Sequence, residues 1–416
     1  AQSAFVTTTV PVPRFHRSRV MSSRVLTSLS ASKKPPVVID LGSAFIRCGF
    51  AGDARPIDVI PSVVGDALAA DGSSVSARTR EEWEKALTPV LERLYTDSLQ
   101  CRPRERRVVV CESMVNPRPL REAIARVLFR FLQVPSLHLC SGPAPVLLCT
   151  GLDTGIAVDI GCDEAHAVAV YRGASLQSSY VGVPLGCRAV HERVGELIAK
   201  AEEKESDPDR LTRRPLTARE MEEVAVRACL VPVGGIPKAD QVSPMEFVFL
   251  GSRRVTVSGA VRTTAVQEAL FEGDEEGRTL ATLVLDCLKR CPRDCRRALV
   301  QNVVVSGGGG LVPGLCARLG EEVKALAAGG YHEYAWARAA VDVERGGLCV
   351  VRVPVRRDHL LWTGASLMSS CLGGDVLGKR SLNGEQYERG GGRLPDWMSV
   401  SSLDWVFQTG EALPAA

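Results

Sequence analysis

No stretch of this 416-residue chain stays apolar for the roughly 18 residues that a membrane-crossing helix requires, so a helical span is excluded. Histidine is scarce, with six residues scattered along the chain. None falls in a His-Glu-x-x-His pattern, and neither a Gly-x-Ser-x-Gly elbow nor a paired acid–base spacing occurs, so the common hydrolase signatures are missing. Fourteen cysteines are too few and too dispersed for a disulfide scaffold and show no metal-finger spacing. Cys48, Cys111, Cys162 and Cys229 lie inside apolar runs, where cysteine acts as a small hydrophobe, and a reducing compartment is expected. Cys287, Cys291 and Cys295 recur every four residues, but Pro292 should break a helix there and no fourth ligand is near, so no zinc is expected. Acid is absent from the first 39 residues, while Arg14, Arg17, Arg19, Arg24, Lys33 and Lys34 precede Asp40. The formal charge of +3 therefore comes from this segment, and the rest of the chain carries about −3. A nucleic-acid binder would carry its positive charge as a stripe on the fold, so nucleic acid is not an expected partner.

What is present is a globular composition, 45% hydrophobic and 24% charged, long enough for two or three domain-sized units. Residues 1–36, basic, hydroxylated and acid-free, read as an organellar transit peptide or as a disordered extension. Two apolar runs, Val37–Leu41 and Ile156–Ile160, each end in Asp-x-Gly and lead into a second strand, Ala44–Phe50 and Ala165–Tyr171. Their spacing of 119 residues reads as an internal duplication. Helical stretches are predicted at 80–99, 118–132, 188–204, 217–229, 278–290 and 314–327, alternating with strands at 107–111, 302–306 and 348–353, which predicts α/β layers. Residues 205–217 and 231–245 read as loops around a smaller insert, and 384–396 as a Gly-rich segment before a short tail.

A hairpin with Asp before Gly suits a phosphate: the glycine lets the main chain approach, turn N–H groups face the oxygens, and the carboxylate holds Mg²⁺ or its water shell. Asp40, Gly42 and Ser43 form one such group, and Asp159 and Gly161 the other. A third element, Val303–Ser306 followed by Gly307, Gly308, Gly309 and Gly310, is strand, glycine turn and helix start, where an adenosine would meet bare backbone. Gly373 to Arg380 nearly reads as a P-loop but has Arg380 in place of the Ser or Thr that reaches Mg²⁺.

Val37–Pro61 resembles the first phosphate segment of actins and actin-related proteins, Ile156–Tyr171 the second, and Ser306–Gly314 their adenosine segment. Trp362–Ser366 resembles the family's Trp-Ile-Gly-Gly-Ser strand-to-helix turn. The segments also occur, more loosely, in sugar kinases and heat-shock chaperone ATPases, but the continuation Gly49–Asp53 is actin-like. The resemblance implies a duplicated ribonuclease-H-like α/β fold, two lobes around a nucleotide cleft. Residues 37–150 would form lobe one, 151–350 lobe two with a small insert at about 200–260, and 351–416 the return to lobe one with a tail. Arg106–Pro135, Thr279–Asn302 and Gly392–Trp397 are most similar to the actin-related subunits at the pointed end of dynactin, the dynein cofactor complex.

Against that family pattern the departures are informative. Ala44 replaces a hairpin glycine, Arg47 the phosphate-reaching lysine, and Cys162 a second-hairpin aspartate, while His166 matches the histidine near the attacking water. The water-positioning glutamine aligns with Gly142, a loss worth roughly 10²–10³ in rate. Ala225, Val226 and Asp358 replace groups around the base and ribose. The resemblance thus implies ATP or ADP with Mg²⁺ held slowly, or an empty cleft, at Asp40, Gly42, Ser43, Arg47, Asp159, Gly161, Gly307, Gly308 and Gly309, with Asp40 and Asp159 as indirect Mg²⁺ groups. Only 20 residues separate Ser62 from Trp83, where actins carry a longer segment with the DNase-binding loop that grips the next subunit. The expectation is a non-polymerising cap in the cytoplasm and cytoskeleton. Its partners would be the actin and actin-related filament subunits and neighbouring pointed-end subunits, with dynein reached indirectly. Two alternatives stand beside it: an active ATPase of the actin and sugar-kinase superfamily, and a subunit of a nuclear chromatin complex.

Overall fold

The run Val37–Leu41 forms strand β1, and its first three residues are apolar because both of its faces are covered: Val37 and Ile39 meet one core cluster and Val38 another. These positions come from a computed structural model that describes residues 34–62, 78–204, 214–232, 241–249, 253–330, 332–342, 347–371 and 381–394. The basic segment before Lys34, the residues that replace the DNase-binding loop, the near P-loop at 373–380 and the final tail lie outside the described residues.

A tight turn at Gly42–Ala44 returns the chain as β2 (Phe45–Phe50), antiparallel with Asp40 opposite Arg47, and β3 (Asp58–Pro61) extends the meander. Helix α1 (Arg80–Arg93) starts in a capping box between Thr79 and Glu82 and ends in one wide turn over Leu94–Ser98, closed by Gln100 at φ 48. Strand β4 (Val108–Glu112) runs parallel to β1. Helix α2 (Arg118–Arg126) then ends as α1 does, in a wide turn over Val127–Phe131 with Gln133 at φ 56. The predicted helices 80–99 and 118–132 are thus regular helices with widened last turns. Strand β5 (Ser136–Ser141) and helix α3 (Pro143–Leu148) complete this part.

The second half opens with the same meander: β6 (Gly155–Ile160), β7 (Ala165–Tyr171) and β8 (Ala174–Val183). It continues through α4 (Cys187–Lys204), α5 (Ala218–Ala228), the hairpin of β9 (Met245–Val248) and β10 (Arg254–Val257), α6 (Gly259–Leu270) and α7 (Leu280–Arg290). Then come β11 (Val303–Ser306), parallel to β6, and α8 (Leu315–Ala325). The chain returns through α9 (Leu360–Cys371), the two-residue strand β12 (Leu382–Asn383) and α10 (Gly384–Arg389), so part of the predicted Gly-rich segment is helical.

Two larger sheets result, ordered β12–β5–β4–β1–β2–β3 and β11–β6–β7–β8. Each begins with a meander and adds parallel strands beside its first strand, so the duplication inferred from the Asp-x-Gly runs is a duplication of topology. Helices α3 and α9 lie between the sheets. Trp362, Ala365 and Met368 close a cluster against β1 and β4, while Ala144, Leu147 and Leu360 close another with Ala157, Val170 and Val304. The outer core of the first sheet packs on α1 and α2, and that of the second on α4 to α8.

Two family-like motifs turn out to be one joint. Trp362 is fully buried, donates from Nε1 to the Val38 carbonyl at 3.0 Å, and lies where a side chain at Gly49 would meet it at 2.7 Å. Ser366 Oγ accepts from the Gly52 N–H at 3.0 Å and donates to the Asp53 carbonyl at 2.8 Å. Trp362–Ser366 is the interior of α9, not the strand-to-helix turn expected from the resemblance. The predicted strand 348–353 is also corrected: it forms a single parallel bridge, Val350 to Val303. Arg357 ends the ladder by donating to the Val305 carbonyl at 2.8 Å and the Val351 carbonyl at 3.3 Å, so a side chain takes the acceptors a strand would use. Cys287, Cys291 and Cys295 are buried in the core around α7, which stops at Arg290 before Pro292. Among the described residues no group of three or more His, Cys, Asp or Glu could hold a metal, and no helix is long and apolar enough to cross a membrane.

Candidate functional site

The two duplicated hairpins bring their aspartates near one another. Asp40 and Asp159 each lie one residue before the end of their strands, β1 and β6, and the Asp159 carboxylate is close enough to raise the cost of ionising Asp40. Gly42 donates its N–H to the Phe45 carbonyl at 3.1 Å, and a Cβ there would meet that oxygen at 2.8 Å. Gly161 repeats this with the Glu164 carbonyl, at 2.9 Å for the hydrogen bond and 3.1 Å for an added Cβ. A side chain is thus excluded at Gly42 unless the turn shifts, and at Gly161 the neighbouring carbonyl would have to give by a few tenths of an ångström. Ser43 lies in the first turn and is half-buried.

The third wall is the glycine run after β11. Gly307 has φ +86, and a side chain on it would collide with the Ile160 carbonyl; one on Gly309 would collide with the Ile160 side chain. Gly308 leaves room, with Cys187 Sγ the nearest atom at 3.7 Å from an added Cβ. Ser306, in register with Asp159, donates its hydroxyl to Asp159 Oδ1 at 2.7 Å and so fixes one oxygen of that carboxylate. His166 lies opposite Asp159 on β7, stacked on Tyr180, and its buried Nδ1 has no hydrogen-bond partner.

Arg47 Nη1 reaches Asp40 Oδ2 at 3.3 Å and its Nη2 reaches Asp358 Oδ2 at 3.8 Å; all three side chains are about 90% buried. Arg356 forks onto Asp358 with two bonds of 3.0 Å. Burial pushes Asp40 up from 3.8 to about 6; Arg47 opposes this, and the carboxylates of Asp159 and Asp358 add to it. Asp358 goes the other way: burial alone would raise it, but the Arg356 fork, with His359 and Arg47 behind it, holds it below the ordinary carboxylate value. Burial raises Cys187 and Cys162, to about 12 and about 11, so both stay thiols at neutral pH.

A family model for actin matches residues 31–223 and 249–391. The chain belongs to the actin family. Its mixed α/β architecture with two sheets is that of the family's two-lobed fold, and the unmatched residues 224–248 cover the end of α5 and all of β9.

Actin folds imply a nucleotide with Mg²⁺, and the structure permits a test of fit. Asp159 adds to the cost of ionising the buried Asp40, a cost that a cation between them would relieve, and the buried Nδ1 of His166 has no hydrogen-bond partner. A hydrated Mg²⁺ therefore fits, and Asp40 and Asp159 would hold it, whereas the N–H groups of Gly42, Gly161 and Gly307 are already donated to the Phe45, Glu164 and Arg357 carbonyls. Bound there, Mg²⁺ would neutralise carboxylate and phosphate charge together. The base and ribose side is poorer: Ala225 is buried on α5, Val226 is 69% exposed, and neither offers a hydrogen bond through its side chain. Gly142 is the residue before α3, with no side chain to hold a water.

Ser306 and Arg357 were not picked out as site residues from sequence. Ser306 had a usable signal, since the strand that carries it pairs in parallel with the Asp159 strand. Arg357 had none: its carbonyl accepts from the Gly307 N–H at 3.1 Å, a contact that exists only once the chain has returned.

The Asp40 shift carries a testable sign. Its folded value lies above its unfolded one, so the ionised carboxylate costs stability above about pH 6, and that cost disappears as pH falls from about 6 to below 3.8. In chelator at pH 7, Asp40→Asn is expected to stabilise the chain by on the order of 1–3 kcal/mol. The gain should vanish by about pH 4 and shrink in millimolar Mg²⁺. Denaturant melts across pH, with and without chelator, measure it; a variant that is less stable at pH 7 would contradict the assignment.

Proposed function

We propose that this actin-family chain is a structural, non-polymerising subunit that caps the pointed end of the short actin-related filament of dynactin and so supports dynein-driven transport on microtubules. The observation that carries the reading is its one-sidedness. The connection from β3 to α1 has only 18 residues, too few for the arm by which an actin grips the next subunit. Helices α3 and α9, packed between the sheets, leave Leu148 and Leu367 36% and 39% exposed, an apolar feature suited to a neighbouring subunit. A subunit that docks at one end only terminates a filament. The long similarities at Arg106–Pro135, Thr279–Asn302 and Gly392–Trp397 support dynactin in particular, and a cytoplasmic, cytoskeletal location follows from it. Gly142 and the bare Ala225–Val226 pair support a cleft that binds rather than turns over nucleotide.

The test is a tagged pull-down of the full chain from cytosol with partners identified by mass spectrometry. Filament and pointed-end subunits of dynactin in roughly stoichiometric amounts are expected. Filaments formed by the purified chain alone would overturn the proposal. The second reading, an active ATPase, rests on the facing Asp40 and Asp159 and on His166. It requires ATP turnover that is lost in Asp159→Ala, and turnover indistinguishable from blank would end it.

A further inference from the structure

The cleft contains an anion of its own. Asp358 precedes α9 in a segment tied to the second sheet: the Gly307 N–H donates to the Arg357 carbonyl at 3.1 Å, and the Arg357 guanidinium donates to the Val305 carbonyl at 2.8 Å. Arg47 stands on β2 of the first sheet, in the position of the phosphate-reaching lysine. The Arg47–Asp358 contact therefore joins the two halves across the site, and Asp40 takes the other nitrogen of the same guanidinium. Side-chain exposures of 10–11% for all three mean that water screens these charges little.

We infer that Asp358 is an internal competitor for nucleotide: it occupies the phosphate-binding arginine and ties the lobes together, so the cleft is held closed by the protein's own charges. Three consequences of the geometry support this. The two terminal nitrogens of the guanidinium face one carboxylate each, so a phosphate that approached them would have to compete with both anions for Arg47. The carboxylate of Asp358 is itself held in place by the Arg356 fork, two bonds of 3.0 Å, and does not swing away freely. His359 directs its Nε2 at the same Asp358 carboxylate, 3.7 Å away, and not at a phosphate. Asp40, Asp159 and Asp358 against Arg47 and Arg356 leave the site one negative charge in excess, which suits a cation and disfavours a polyphosphate.

The inference goes beyond the capping proposal, because a cap with a nucleotide-dependent cleft would be equally able to cap. Asp358→Asn keeps the shape of the side chain, removes the competing charge and frees one side of Arg47. Calorimetric titration of the full chain with ATP in millimolar Mg²⁺ is expected to show at least tenfold tighter binding for Asp358→Asn than for the wild type. Thermal melts give the second readout: the wild type should melt within about 1 °C in chelator and in Mg²⁺·ATP. Asp358→Asn should melt several degrees lower in chelator and recover with Mg²⁺·ATP. Unchanged or weaker ATP binding by the variant would overturn the inference, as would a wild-type chain whose melting point collapses in chelator. If Asp358→Asn does not fold, Arg356→Gln, which removes a cation from the site and leaves Asp358 to Arg47 alone, is expected to weaken ATP binding, and tighter binding by it would overturn the inference. None of these results depends on whether the chain is recovered with dynactin.

Discussion

A chain carrying both Leu148→Asp and Leu367→Asp is expected to fold normally and to lose its place on the filament. The two leucines end α3 and occupy the exposed face of α9, the helices that pack between the sheets. Because both are already in contact with water, 36% and 39% exposed, the substitutions remove little core contact. Exposed replacements of this kind usually change stability by no more than about 0.5 kcal/mol. In a subunit contact the balance reverses. Truncating a central apolar anchor commonly costs about 2 kcal/mol or more, and a carboxylate in its place must also be stripped of water. Two such losses amount to a hundredfold or greater drop in affinity, with the caution that neighbouring positions are not strictly additive. Co-precipitation with dynactin filament subunits should fall to background while the thermal melt stays within about 1 °C of wild type. Wild-type recovery of the double variant would remove this face from the capping proposal. A melt that collapses would instead show that the leucines are structural.

The strands and the phosphate hairpins were legible in the sequence because their causes are local. Val37–Ile39, Val108–Cys111 and Val303–Val305 are apolar at every position, as a strand covered on both faces must be, and each lies in a strand. Asp-x-Gly followed by a second apolar run is a turn whose glycine has a specific task, and the tight carbonyl approaches at Gly42 and Gly161 are that task. What was not legible depends on residues far apart in sequence. The stretch 348–353 has a strand's pattern but forms one bridge, because Arg357 satisfies the neighbouring carbonyls. Trp362–Ser366 was read as a turn, yet it is helical, because its glycine serves helix packing and not backbone reversal. The ion bridge from Arg47 to Asp358 spans more than 300 residues of chain, and composition around either residue says nothing of it.

That helix-packing glycine leads to the prediction with the largest expected effect on the fold. Gly364→Ala should destabilise the chain by about 3 kcal/mol or more, with little folded protein at 37 °C. A Cβ at this position would collide with backbone atoms of Pro145 in α3, including its carbonyl oxygen, and backbone cannot rotate away as a side chain could. Relief requires α9 to move off α3. That would pull Trp362 from its hydrogen bond to the Val38 carbonyl and loosen Ser366 from Gly52 and Asp53. Overpacking in a well-filled core typically costs about 1–3 kcal/mol, and the loss of a buried tryptophan contact adds to it. Gly320→Ala in α8 is the matched control. A Cβ there would lie 3.6 Å from Val350 Cγ2, an ordinary contact, and alanine is favoured over glycine inside a helix by up to about 1 kcal/mol. Chemical denaturation of the two variants side by side should therefore move in opposite directions from wild type. If Gly364→Ala were as stable as Gly320→Ala, α3 and α9 would have to be farther apart than this packing allows, and the capping face they present would have to be redrawn.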